Sequence, residues 1–180
     1  MVYVHIASGF EEIETTTIVD ILRRGGVDTE IVSIEGKNVK GAHDIELTAD
    51  ITFEEANYEN CEMIVMPGGM PGTANLQAHE GLSARIGEFN DAGKWICAMC
   101  AAPMIFGEMG ILEGRKATIY PGMEEHLTGA LKSIASVVKD EHIITSKAPG
   151  TAMLFALELL GALKGEKVME EVKSELFMAI

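Results

Sequence analysis

Short, β-rich apolar runs alternate with amphipathic stretches of helical length along almost the whole chain, and this rhythm restricts the fold more than any single motif. VYVHIA, TEIVSI, EMIVM, KWICAM, KATIY and HIITS are the strand candidates. Helices are expected over 13–25, 82–90, 104–110, near 124–131, and over 153–163. Strands that are apolar throughout and separated by helices must be covered on both faces, which predicts an α/β/α sandwich around a mostly parallel sheet. DIELTADITFEE breaks the rhythm: its polar–apolar alternation predicts a half-exposed hairpin added to the main sheet. No repeat, low-complexity tract or Pro/Gly/Ser linker interrupts the chain, so residues 1–180 read as one domain.

With 180 residues and 47% apolar composition, the chain can build its core without disulfides. It has three cysteines, an odd count, and the opening MVYVHIA is too short to span a bilayer or act as a signal. A soluble protein of a reducing cytoplasm is therefore expected. Twenty-eight acidic against 14 basic side chains give a net charge of −14, which repels phosphate backbones and anionic lipid. Neither nucleic acid nor membrane is an expected partner.

In open α/β sheets, sites form at the carboxyl ends of strands. Three such ends carry unusual chemistry: GFEEIE, PGGMPGT and CAAP. Around Cys100, the small residues Ala98, Ala101 and Ala102 suit a nucleophile elbow, where a strand turns abruptly into a helix and strains its central residue. At a helix N-terminus the thiolate would be favoured and the cysteine pKa lowered. A buried structural cysteine fits the local sequence equally well. Cys97 forms C-x-x-C with Cys100, but as a strand residue it lies roughly 10 Å from the turn. That exceeds the disulfide limit of about 7 Å. Zinc is not indicated, since Cys61 is isolated and no second ligand pair exists; neither a metal nor a cofactor is expected. Cys97 reads as core packing.

Glu11 and Glu12 suit the first turn of a helix through dipole complementarity alone. Glu14 falls on one helical stripe with Ile18, Ile21, Leu22 and Gly25, the stripe that faces the sheet. There its carboxyl would be poorly solvated, stay protonated and donate a hydrogen bond to a nearby thiolate; a side chain bent out to solvent fits the spacing too. In PGGMPGT the backbone N–H of Gly69, with that of Ala101 after the cysteine, would supply an oxyanion hole, although Pro-Gly-Gly is also an ordinary turn.

In this order, GFEEIE, VMPGGMPGTANL, ICAMCAAP and TSKAPGT resemble the ThiJ/PfpI superfamily, in its DJ-one branch, over essentially the full chain. The resemblance implies a flavodoxin-like, class I glutamine amidotransferase-like domain, usually a homodimer. Cys100 would be the nucleophile on the elbow and Glu14 its protonated partner. Gly69 and Ala101 would be the backbone donors. Family members often carry a histidine just after the fifth strand. Here TIYPG places Tyr120 there, a poor general base at neutral pH. Tyr120 is thus a candidate third position, and a full Cys-His-acid triad and peptidase chemistry are not supported. His126, six residues on, reads as a solvent-facing helix residue, and His5, His43, His79 and His142 as structural or surface residues.

The function the resemblance implies is conversion of small 2-oxoaldehydes such as methylglyoxal, or of their early thiol and amine adducts, with no cofactor. The alternative is a non-enzymatic oxidative-stress sensor or holdase based on oxidation of Cys100. Dithiol exchange and flavin binding are weaker readings; the second would rest on fold alone.

Overall fold

A computed structural model describes residues 1–178. In chain order the elements are β1 (Val2–Ile6), α1 (Glu12–Arg24), β2 (Thr29–Ser33), β3 (Asn38–Lys40), β4 (Glu46–Thr48), β5 (Ile51–Thr52), β6 (Met63–Met66), α2 (Gly72–Ala78) and α3 (Glu80–Asp91). There follow β7 (Trp95–Met99), α4 (Pro103–Glu108), β8 (Lys116–Ala117), β9 (Leu131–Lys132), β10 (Val137–Asp140), β11 (Ile143–Ser146), α5 (Ala152–Lys164) and α6 (Glu166–Glu175). The central sheet has the order β10-β11-β7-β6-β1-β2-β5. Every neighbouring pair is parallel except the edge pair β10–β11.

The period of two along each strand divides the core into two layers. Val2, Val4, Met63, Val65, Cys97 and Met99 pack with Ile18, Ile21 and Leu22 of α1 and with Phe155 and Leu159 of α5. The alternate residues Tyr3, Ile64, Met66, Ile96 and Ala98 pack with Leu76 of α2, Leu82, Ile86 and Phe89 of α3, and Ile105 and Phe106 of α4. This is the flavodoxin-like three-layer sandwich expected from the alternation.

Three expectations change. DIELTADITFEE is not a hairpin on the main sheet. Glu46–Thr48 turns back onto Asn38–Lys40 to form a separate antiparallel pair, while Ile51–Thr52 joins β2 in parallel at the sheet edge. The turn decides this, because the Gly41 N–H donates to the Ile45 carbonyl at 2.8 Å and Asp44 adopts a φ of 66°, closing a tight reversal between β3 and β4. Secondly, KATIY contributes only Lys116–Ala117 to a two-stranded pair with β9. The next N–H, that of Thr118, is taken by the Thr145 hydroxyl at 3.0 Å, so the run leaves strand pairing there. Thirdly, the segment near 124–131 holds only a 3₁₀ turn over Glu124–His126.

Candidate active site around Cys100

The carboxyl ends of β1, β6 and β7 converge. β7 ends at Met99, and Cys100 stands in the turn before Pro103 opens α4 with a φ of 58°. A left-handed backbone at a residue with a Cβ costs on the order of 1–2 kcal/mol and persists only where the surroundings impose it. Here they do: the Cys100 N–H donates to the Ser146 carbonyl at 2.9 Å, and the Cys100 carbonyl accepts from the Tyr120 N–H at 2.9 Å. Ala101 and Ala102 are buried beside the turn, as an elbow needs.

Glu14 projects from the first turn of α1 and is fully buried. Its Oε2 accepts a hydrogen bond from the Gly68 N–H at 2.6 Å, and its Oε1 is buried without a partner meeting hydrogen-bond geometry. The Glu14 carboxyl lies near enough to the Cys100 thiol to raise its pKa, and the N–H groups of Ala101 and Gly69 lie near enough to lower it. The glycine turn is held to α1 in the reverse sense as well, since the Glu11 N–H donates to the Gly68 carbonyl at 2.9 Å. At Gly68, the backbone must approach the nucleophile closely: a Cβ there would lie 2.6 Å from Cys100 Cβ and 3.1 Å from its Sγ. Gly69 has a φ of 91° and would drive a Cβ into the backbone around Gly9 and Phe10.

The electrostatics depart from the sequence expectation of a thiol lowered by a helix dipole. Helix α4 has six residues, and burial dominates. Burial, joined by the Glu14 charge, pushes the Cys100 thiol up to about 12, against the pull of the Ala101 and Gly69 N–H groups. Burial also raises Glu14 to about 7, against the Gly68 hydrogen bond. The two groups titrate as a unit. With one proton between them, either the thiol donates to the Glu14 carboxylate or Glu14 donates its O–H to a thiolate that also has the Ala101 and Gly69 N–H groups beside it; repulsion arises only when both are ionised.

Of the residues singled out from sequence, Cys100, Glu14, Gly69 and Ala101 meet in one place. Tyr120 adjoins them through its backbone; its ring is 45% exposed, and among the described residues no hydrogen bond links its hydroxyl to Cys100. His126 lies on the 3₁₀ turn, 3.9 Å from Glu108. Cys97 is buried in the α1/α5 layer, where burial pushes its thiol up. Gly68, which binds Glu14, was not separated from Gly69 by sequence reasoning, although the Gly-Gly pair was its signal. Glu11 and Glu12, explained from sequence by dipole complementarity alone, are buried at 7% and 5% exposure against His43.

The DJ-1/PfpI family model matches residues 1–162. Protein DJ-1 homolog B of Arabidopsis thaliana is 35% identical over 180 residues, 98% of this chain and 41% of that protein. Protein dj-1beta of Drosophila melanogaster is 32% identical over 181 residues, 97% of this chain and 95% of that one. The chain thus spans less than half the length of the Arabidopsis relative and nearly all of the Drosophila one. The structure of oxidized Toxoplasma gondii DJ-1 superposes with a TM-score of 0.95 at 30% identity, covering 99% of this chain and 98% of that one. Among the described residues no helix is long and apolar enough to cross a membrane. A match over this much of the chain, on a fold that brings the elbow, the glycine turn and Glu14 together, places this protein in the DJ-1/PfpI family.

Proposed function

We propose that this protein converts small 2-oxoaldehydes such as methylglyoxal, or releases their early adducts, using Cys100 and Glu14 without a cofactor. The observation that supports this reading is the left-handed Cys100 backbone, which aims the sulfur between the Glu14 carboxyl and the N–H groups of Gly69 and Ala101. With a pKa near 7, Glu14 is matched to accept and return protons at neutral pH. The sulfur adds to the aldehyde carbon while its proton passes through Glu14 to the new hydroxyl, giving a hemithioacetal. Glu14 then carries the aldehyde-carbon proton to the adjacent ketone carbon by way of an enediol. One carbon is oxidised as its neighbour is reduced, so no external redox partner is needed. Water cleaves the resulting thioester, releasing lactate and the free thiol. The Gly69 and Ala101 N–H groups stabilise negative charge beside the sulfur during addition.

The test is lactate formation from methylglyoxal by the full chain, compared with Cys100→Ser. Turnover that disappears in the variant supports the reading; no lactate above the uncatalysed rate overturns it. The second reading is a redox sensor or holdase, favoured by the same carboxyl beside the sulfur, which can hydrogen-bond a sulfinate, and by the relative whose structure is described as oxidized. A stable dioxygenated Cys100 formed under mild peroxide, without turnover, supports the sensor. In keeping with the family resemblance, we assign the protein to the cytoplasm as a homodimer, a state that sedimentation measures directly.

A further inference from the structure

A second group of chemistry-bearing side chains stands apart from the thiol. The structure assigns, we infer, a divalent transition-metal site to Glu11, Glu12 and His43, formed by the start of α1 and the β3–β4 turn, with zinc(II) as the representative ion. Each residue offers one ligand atom, and the three atoms lie within 4.8 Å of one another. His43 Nδ1 is 2.9 Å from Glu12 Oε2 and 3.5 Å from Glu11 Oε2. An ion with bonds of about 2.0–2.2 Å holds neighbouring ligands about 3.0–3.5 Å apart, which these separations match.

The site is built as well as clustered. Glu12 Oε1 accepts the His43 N–H at 2.7 Å and the Ile45 N–H at 3.4 Å, so the backbone turns Oε2 toward the imidazole, as outer-shell hydrogen bonds orient metal ligands. Gly41 leaves room for this carboxylate, since a Cβ there would overlap Glu12 Oε1. Glu11 is the independent indication. Its side chain is nine-tenths buried and faces the imidazole, yet its carboxylate takes part in no hydrogen bond among the described residues. Among the described residues its one ion-pair partner is the His43 ring, which leaves carboxylate lone pairs turned toward the cluster and free to coordinate a cation. A cleft bounded by Ile13 and Ile45 opens onto the three ligands, and the His43 ring is 68% exposed, so an ion can enter and keep water in its remaining positions. Imidazole with two carboxylates suits zinc and its neighbours better than calcium or magnesium, which favour all-oxygen shells. The sequence concealed this set because His43 lies 31 residues from Glu12.

The test is calorimetric titration of zinc(II) into the full chain carrying Cys100→Ser, which removes the accessible thiol; Cys61 and Cys97 are buried at 1% and 0% exposure. One equivalent is expected to bind, and His43→Gln and Glu11→Gln are each expected to weaken binding by at least about tenfold. Bound zinc should also raise the melting temperature, a rise lost in His43→Gln. Absence of a one-equivalent site, or wild-type affinity in His43→Gln, overturns the assignment. Should Glu11→Gln not fold, His43→Gln decides alone, since its ring is largely exposed.

Discussion

Glu14 on α1 is anchored to the glycine turn after β6: its Oε2 accepts the Gly68 N–H at 2.6 Å. Gly68 is also the residue whose missing Cβ lets that turn lie against Cys100. One backbone unit therefore fixes the acid and admits the nucleophile, so the spacing between carboxyl and sulfur depends on the turn as much as on either side chain.

Replacing Gly68 by Ala should accordingly damage both stability and chemistry. The added methyl meets Cys100 Cβ at 2.6 Å, an overlap that typically costs about 1–3 kcal/mol. We expect a lower denaturation midpoint and a fall in lactate formation of at least about tenfold, because small displacements of reacting groups are expensive. Unchanged kinetics in Gly68→Ala would show that the turn does not position the thiol.

Glu14→Gln should reduce kcat for methylglyoxal by about 10²–10⁴-fold, the usual range for loss of a general acid–base group. The amide can still accept from Gly68, so the fold should survive. The variant isolates proton transfer from packing, and near-wild-type kcat in Glu14→Gln would remove Glu14 from the mechanism.

The raised pKa of Glu14 also has a sign in stability. Buried Glu14 rises from 4.5 to about 7, so its contribution is fully present below pH 4.5 and is lost as pH climbs through about 7. Ionisation in the fold costs roughly 3 kcal/mol at most. Glu14→Gln should therefore gain stability relative to wild type between pH 4.5 and 7 and hold that gain at pH 8. Denaturant melts at several pH values check this; a difference independent of pH contradicts it.

His5 works in the opposite direction. It is fully buried, and burial lowers its pKa from 6.5 to about 3, while its Nε2 lies 2.7 Å from the Tyr58 hydroxyl. Its neutral form supports the fold above pH 6.5, and that support drains away as pH falls toward 3, with a slope of up to about 1.4 kcal/mol per pH unit. His5→Gln should flatten this part of the pH–stability curve; an unaltered slope would assign the acid loss to other groups.

Tyr120→Phe is expected to leave kcat/KM within about twofold, because Tyr120 serves Cys100 through its N–H and not its hydroxyl. A large loss would restore the hydroxyl as a third catalytic group.

The strand–helix rhythm, the buried stripe on α1 and the small residues around Cys100 were legible in the sequence. Each is a local periodicity or a steric requirement, and such patterns survive without knowledge of distant contacts. They determined the sandwich, the assignment of Cys97 to the core and the candidacy of Cys100, Glu14, Gly69 and Ala101. The hairpin register was not legible, because the Gly41–Ile45 turn and edge pairing with β2 decided between arrangements of similar local pattern. Nor was the charge state of Cys100: the sequence suggested a helix dipole, whereas burial beside a second acid is a sum over residues brought together from three strand ends. The same holds for Glu11 and Glu12, whose first-turn spacing indicates only complementarity to the helix dipole until β3 and β4 fold over them and deliver His43. The sequence by itself determined which groups face the core. Only the tertiary structure decided which of them meet, because desolvation and proton sharing depend on distances between segments that no local pattern encodes.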